Sequence, residues 1–225
     1  MTQHDSNMGN IMMKHTIRIG AILLLGTAPF LRGDMSYQVT VTPDASLVGV
    51  TGNMAFDLFG GSPLQNNTGT ITFFVTTGVL LPGSSTSGDV TGSLTPGPLV
   101  ETAAQFFNEW LQPITFAAGP TTFNLDISTS FIPGSTPDSF SFALLDQSLH
   151  SFATSDPTGS DRLFAIDLVG ADTTPDVFTS SFATATVTSS GGAVPEPHFL
   201  PFAFVGFGLM LAVHATVRRA RLPRP

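Results

Sequence analysis

The chain has 225 residues, enough for one domain with appendages or for a single large β domain. Charged residues make up 11 % of it, against about 25 % in ordinary domains, and Cys is absent, which excludes disulfides, thiol nucleophiles and thiolate metal sites. Between Met35 and Val194 thirteen acids stand against the single Arg162, so this stretch lacks the cations that a phosphate backbone requires, and nucleic acid is excluded as a partner.

Residues 1–36 read as a leader. Lys14 and Arg18 precede an apolar core from Ile19 to Ala28, and Arg32 follows it. As a helix that core rises about 15 Å, half of a bilayer interior of about 30 Å, which is signal-peptide size and too short for a stable span. The residues before Met12 carry no pattern, so a start at Met12 or Met13 fits the signal equally well. Gly26-Thr27-Ala28 offers small residues for cleavage, but Pro29 follows, which leaves the cut between Ala28 and Ser36. A buried N-terminal helix is the alternative; the charges on both flanks argue against it. An export signal implies passage through the Sec machinery.

Residues 37–188 form the body, and they read as an antiparallel β-sandwich or jelly roll. Tyr37 to Val41 alternates with period two, as do Met54, Phe56 and Leu58 against their polar neighbours. Thr70 to Thr76 is rich in β-branched and aromatic residues. Phe123, Leu125 and Ile127 form a further alternating set, and Phe140, Phe142 and Leu144 another; Leu163 to Val169 and Phe182 to Val187 complete the strands. Turn sequences separate them: Gly60-Gly61-Ser62-Pro63, Pro82-Gly83-Ser84, Thr95-Pro96-Gly97-Pro98, Ile132-Pro133-Gly134 and Asp156-Pro157-Thr158-Gly159. The 20 Phe residues are expected to fill the space between two sheets about 10 Å apart. One stretch breaks the alternation. Val100 to Leu111 has apolar residues at 103, 106, 107, 110 and 111, which predicts a short helix ended by Pro113.

The body offers little chemistry. Of five His, only His150 lies in it, so a His-based zinc site is not expected. Asp156 and Asp161 in one turn, and Asp172 and Asp176 in another, are candidates for calcium. They lack the spacing of a dedicated calcium loop, and the competing reading is that each Asp starts a turn by binding nearby amides. Asp146, Ser148 and His150 are close in sequence, but a triad is a matter of geometry, and no G-x-S-x-G elbow is present. Glu101 and Glu109 flank Trp110 as a possible carboxylate pair, or as a solvated face beside a core Trp. No catalytic residue and no cofactor is expected.

A Ser/Gly linker, residues 189–193, leads to the last segment, residues 194–225. Val194-Pro195-Glu196-Pro197 holds the chain extended, because each Pro disfavours helix and strand. From His198 to Val217 there is no Asp, Glu, Lys or Arg; as a helix this run rises about 30 Å and spans a bilayer core. Arg218, Arg219, Arg221 and Arg224 follow, and positive charge beside a span retains that end in the cytoplasm. The body is then expected outside the inner membrane, in agreement with the N-terminal signal.

Val-Pro-Glu-Pro, an apolar span and a terminal arginine cluster, in that order, resemble the PEP-CTERM sorting signal of Gram-negative bacteria. The resemblance covers about the last thirty residues. It implies recognition by an exosortase, an integral membrane transpeptidase-like enzyme that removes or exchanges the span. It also implies release to the cell surface or medium, in association with exopolysaccharide and biofilm. A permanent single-pass anchor is the plainer alternative. The body is similar, more loosely, to a group of uncharacterised PEP-CTERM proteins, through its opening Tyr-x-Val-x-Val, Thr51-Gly52-Asn53, Gly88-Asp89-Val90-Thr91-Gly92 and Asp156-Pro157-Thr158-Gly159. That likeness supplies no catalytic residues. The sequence thus leads to a non-catalytic, exported surface protein, with an extracellular carbohydrate-binding module or hydrolase as the alternative. An exposed aromatic platform with converging acids would favour the alternative; Phe wholly buried beneath Ser and Thr would favour the first.

Overall fold

The computed structural model describes residues 32–130, 132–170 and 173–190. Within them the chain forms two antiparallel sheets. The first contains β1 (Arg32–Pro43), β3 (Thr68–Thr76), β6 (Val90–Gly92), β7 (Leu99–Thr102), β9 (Thr121–Ser130) and β13 (Ala183–Ser189), in the order β13-β1-β9-β3-β7-β6. The second contains β2 (Thr51–Phe59), β4 (Val79–Leu80), β8 (Phe107–Thr115), β10 (Asp138–Leu145), β11 (Phe164–Leu168) and β12 (Asp176–Val177), in the order β12-β11-β10-β2-β8-β4; β5 (Ser85–Ser87) also pairs with β8. Helix is confined, among the described residues, to the 3₁₀ turn Ala45–Leu47. Asp44 caps that turn by accepting from the Ser46 amide.

Period-two alternation sends one set of side chains from each strand into the space between the sheets. Tyr37, Val39 and Val41 of β1 and Phe123, Leu125 and Ile127 of β9 enter from the first sheet. Met54, Phe56 and Leu58 of β2 and Phe140, Phe142 and Leu144 of β10 enter from the second. Phe56 meets Phe123 edge-on across the gap at 5.4 Å between centroids and touches Phe142 within its own sheet at 5.0 Å. The alternating sets legible in the sequence are therefore the core of a sandwich.

The helix expected over Val100 to Leu111 is not formed. Leu99–Thr102 is strand β7, residues 103–106 turn, and Phe107–Thr115 is strand β8. The physical reason is long-range pairing. β8 lies alongside β2 for its whole length, from Phe59↔Phe107 to Thr51↔Thr115, whereas an isolated helix of that length is marginal in water. The buried side chain of Asn108 secures the turn: its amide group donates to the Leu58 and Gln105 carbonyls, and its oxygen accepts from the Asp89 amide. Pro113 does not end the element. It lies within β8, where the Leu81 amide donates to its carbonyl.

A buried polar corner ties the sheets together beside β10. Asp138 accepts from the Gly61 amide at 2.7 Å and from the Asn67 side chain at 2.9 Å, while Asn67 also accepts from the Ser130 amide and hydroxyl. A Cβ at Gly61 would stand 2.1 Å from the Pro137 carbonyl oxygen, so this close approach requires Gly. From β10 the chain makes a long connection, residues 146–163, part of which lies against the outer face of the second sheet.

Candidate functional site

A groove of about 710 Å³ lies on that outer face, bordered by the 146–163 connection. Its floor follows from the strand register. Asp57 of β2 stands opposite Glu109 of β8 on one side and Ser141 of β10 on the other. Phe59 and Phe107, opposite each other in the same ladder, form an aromatic wall with ring centroids 5.2 Å apart. Phe106, 76 % exposed, extends that wall toward a shallower cleft of about 550 Å³ containing Gln105 and Asp89.

The carboxylates on this floor are poorly compensated. Ser141 donates to Asp57 Oδ2 over 3.4 Å, but Asp57 Oδ1 is shielded from water and has no partner. Burial, followed by the negative charge of Glu109, pushes Asp57 up to about 7. Burial also raises Glu109. Arg162 lines the groove, but its guanidinium is committed to Asp156, with Nε to Oδ2 at 2.7 Å and Nη2 to Oδ1 at 3.2 Å. Behind the floor lies Glu101, wholly buried on the same side of β7 as Leu99. Burial, then the charge of Asp57, holds Glu101 well above the usual carboxylate range. The Trp110 amide gives it partial relief, yet neither carboxylate oxygen makes a hydrogen bond of ordinary geometry.

Glu101 and Glu109 thus do not converge on one bond: Glu101 is in the core and Glu109 is on the outer groove, separated by strand β8. Trp110 is a core residue. Asp146, Ser148 and His150 form an exposed turn in which Asp146 Oδ1 accepts from the amides of Ser148, at 2.8 Å, and His150, at 2.9 Å. Those amides, with that of His150 first, hold Asp146 below its ordinary value. Asp156 starts its turn by accepting from the Thr158 amide and hydroxyl. Its ion pair with Arg162, the first cause, holds it far below the usual range. Asp161 accepts from the Thr154 amide, and Asp176 lies on β12 opposite Ala165. No three His, Asp or Glu residues come together as a metal site among the described residues. Asp172, Val194, Pro195, Glu196, Pro197 and Arg218, Arg219, Arg221 and Arg224 lie outside the described residues, as do the signal core and the apolar span. Among the described residues no helix is long and apolar enough to cross a membrane.

No family model, curated protein or solved structure matches the chain. The groove therefore rests on its own chemistry. No sequence motif marks Asp57, Ser141, Phe59 and Phe107 as groove residues. The available signal was the polar phase of the β2 and β10 alternation, together with β8 read as a strand, which sets Glu109 opposite Asp57.

Proposed function

We propose that this chain is an exported, non-catalytic surface or matrix-associated protein, sorted by its C-terminal segment. The order Val-Pro-Glu-Pro, apolar span, arginine cluster supports that reading, with exosortase as the processing partner and exopolysaccharide as the setting. One structural observation agrees with it. β1 and β13 are paired neighbours with Tyr37 opposite Ser189, and the Ser190 amide donates to the Ser36 carbonyl. The first and last described strands therefore lie side by side at one edge of the first sheet, with the start of one beside the end of the other. The intact mass of the protein from its native host, with fractionation, tests this. Loss of the N-terminal signal and of the span beyond Pro197, with the product outside the inner membrane, is the expected result. A full-length C-terminus in the inner membrane would make the tail a permanent anchor.

A second reading, extracellular carbohydrate binding, is favoured by one feature: the partly exposed Phe59–Phe107–Phe106 wall beside Asp57 and Glu109.

A further inference from the structure

We propose that the open edge of β13 is a self-association surface, on which a second copy of this chain pairs its own β13 antiparallel about a two-fold axis at Thr186. The first sheets of the two copies then form one continuous sheet. This goes beyond the sorting and carbohydrate readings and depends on neither.

The four outermost strands differ in how they end their sheets. An edge strand offers a row of N–H and C=O groups to any partner strand, and proteins blunt such edges with short strands, Pro, bulges or charge. Three edges are blunted here. β4 and β12 have two residues each, and β12 begins at Asp176; β6 has three and ends at Gly92, with φ at 83°. β13 is the exception. It runs for seven residues without a charge, a Pro or a Gly, in an unbroken ladder with β1 from Pro43↔Ala183 to Tyr37↔Ser189. Among the described residues, Thr184 to Ser189 make no backbone hydrogen bond outside that ladder.

The ladder fixes which groups are free. The Ser190 amide donates to the Ser36 carbonyl at one end, and the Asp44 amide to the Phe182 carbonyl at the other. Bonded and non-bonded pairs alternate in an antiparallel ladder, so Thr184, Thr186 and Thr188 bond to β1, while Ala185 and Val187 direct their N–H and C=O groups to the open edge. The order Thr184-Ala185-Thr186-Val187-Thr188 has the same polarity in both directions. Turning a second copy about Thr186 therefore sets Ala185 opposite Val187 of that copy, free groups facing free groups. It sets Thr184 opposite Thr188 on the outer face. Ala185 and Val187, only partly buried against the core, gain cover from their counterparts. A slip of one residue would face free groups with groups already bonded to β1 and would turn apolar side chains outward.

Charge selects the same contact. Between Met35 and Val194 thirteen acids stand against Arg162, so two copies repel over much of their surface. Tyr37 to Pro43 of β1 and all of β13 carry no charge. The contact is short, so association is weak and concentration-dependent, and a two-fold contact closes at the dimer.

The chain has no Cys, so a single introduced one reports its own neighbour. The test oxidises the full chain, in detergent micelles, as Thr186→Cys and separately as Thr188→Cys. In the dimer the two Thr186 positions face each other at about 4.5 Å between Cα atoms, within disulfide reach, whereas the two Thr188 positions are about 14 Å apart. Thr186→Cys is expected to yield about tenfold more disulfide dimer than Thr188→Cys. Ala185→Pro removes an amide that faces the open edge and spares the β1 ladder. Added to Thr186→Cys it should lower the yield about tenfold, with circular dichroism confirming the fold. In the unsubstituted chain, amide exchange at Ala185 and Val187 should slow as concentration rises. Equal yields from the two single-Cys chains would overturn the two-fold register, and a folded Ala185→Pro chain that cross-links undiminished would overturn pairing through the backbone. Absence of a Thr186→Cys dimer at every concentration would overturn self-association; protection of the Ala185 and Val187 amides at every dilution would then assign the edge to another segment of the same chain.

Discussion

The two sheets share one core but present different outer faces. On the first sheet the outward positions are mostly short and polar: Gln38, Thr40 and Thr42 on β1 run beside Thr188, Thr186 and Thr184 on β13. Such a face needs no explanation beyond β propensity and solvent. On the second sheet the same pleat carries Asp57, Glu109, Phe59 and Phe107, partly covered by the connection after β10. There two facing carboxyls are raised by burial, Asp57 to about 7; on the first face burial also raises Asp126, but that carboxylate accepts from the Ser36 hydroxyl. The backbone geometry is common to both. Side-chain choice and one long connection make one face a plain surface and the other a candidate site, and uncompensated acids are the kind of local expense that accompanies binding.

The largest way to break the comparison is to separate the sheets beneath both faces. Phe56 is fully buried and touches Phe123 of the first sheet and Phe142 of the second. Phe56→Ala should cost about 3–5 kcal/mol, through lost transfer energy and the cavity left behind. Denaturant unfolding followed by Trp110 fluorescence would measure it; a loss well under about 1 kcal/mol would mean that the sheets do not depend on this contact.

A pH series separates the faces more selectively. Asp57 titrates at about 7 in the folded protein and near 3.8 when unfolded, so between those values the native state holds a proton that the unfolded state has released. Stability should therefore fall as pH rises from about 4 to about 7, by an amount of order 4 kcal/mol, and then level off. Glu101 and Glu109, also raised, act in the same direction. Asp156, Asp146 and Asp44 are lowered, so their contribution is present above about pH 4 and lost below it. The optimum then lies on the acid side of neutrality. Asp57→Asn should remove the Asp57 share of the slope, leave that of Glu101 and Glu109, and raise stability at pH 8; a wild-type curve flat from pH 4 to 7 would contradict the burial of these carboxyls.

A smaller effect is expected at the polar corner beside the groove. Asn67→Ala removes the 2.9 Å donor to buried Asp138 and the acceptor for the Ser130 amide. It should cost about 1–3 kcal/mol, the penalty for buried polar groups left unpaired. Because Asp138 leads β10 directly into Ser139 and Ser141, this loss should also loosen the groove and leave the β1–β13 ladder unchanged, which amide hydrogen exchange would resolve.

The core was legible because it is written as strict alternation: Phe140-x-Phe142-x-Leu144 can place only one face inward. β8 is hidden in the sequence because Ala103, Phe106, Phe107, Trp110 and Leu111 also satisfy helical spacing, and the competing interaction, nine residues of pairing with β2, joins segments far apart in sequence. The groove was illegible for the same reason. Asp57 and Glu109 are 52 positions apart, and only the β2–β8 register makes them neighbours. Short strands such as β4, β5 and β12 carry too few residues to show a period.

The finest test compares one hydroxyl on each face. Thr186 is exposed on β13 between Thr184 and Thr188, and Thr186→Val keeps its shape and β-branching. Its hydroxyl has solvent as an alternative partner, so stability should change by less than about 0.5 kcal/mol. Ser141 is buried on β10, and its hydroxyl donates to Asp57 Oδ2. Ser141→Ala removes the hydrogen bond that favours the ionised form of Asp57 and leaves the weaker influence of the Arg162 charge. Above pH 7 it should cost about 1 kcal/mol, and Asp57 should titrate higher still. Carbon-detected NMR of the Asp57 carboxyl would follow both effects. Equal responses at Thr186 and Ser141 would mean that the second face is solvated like the first.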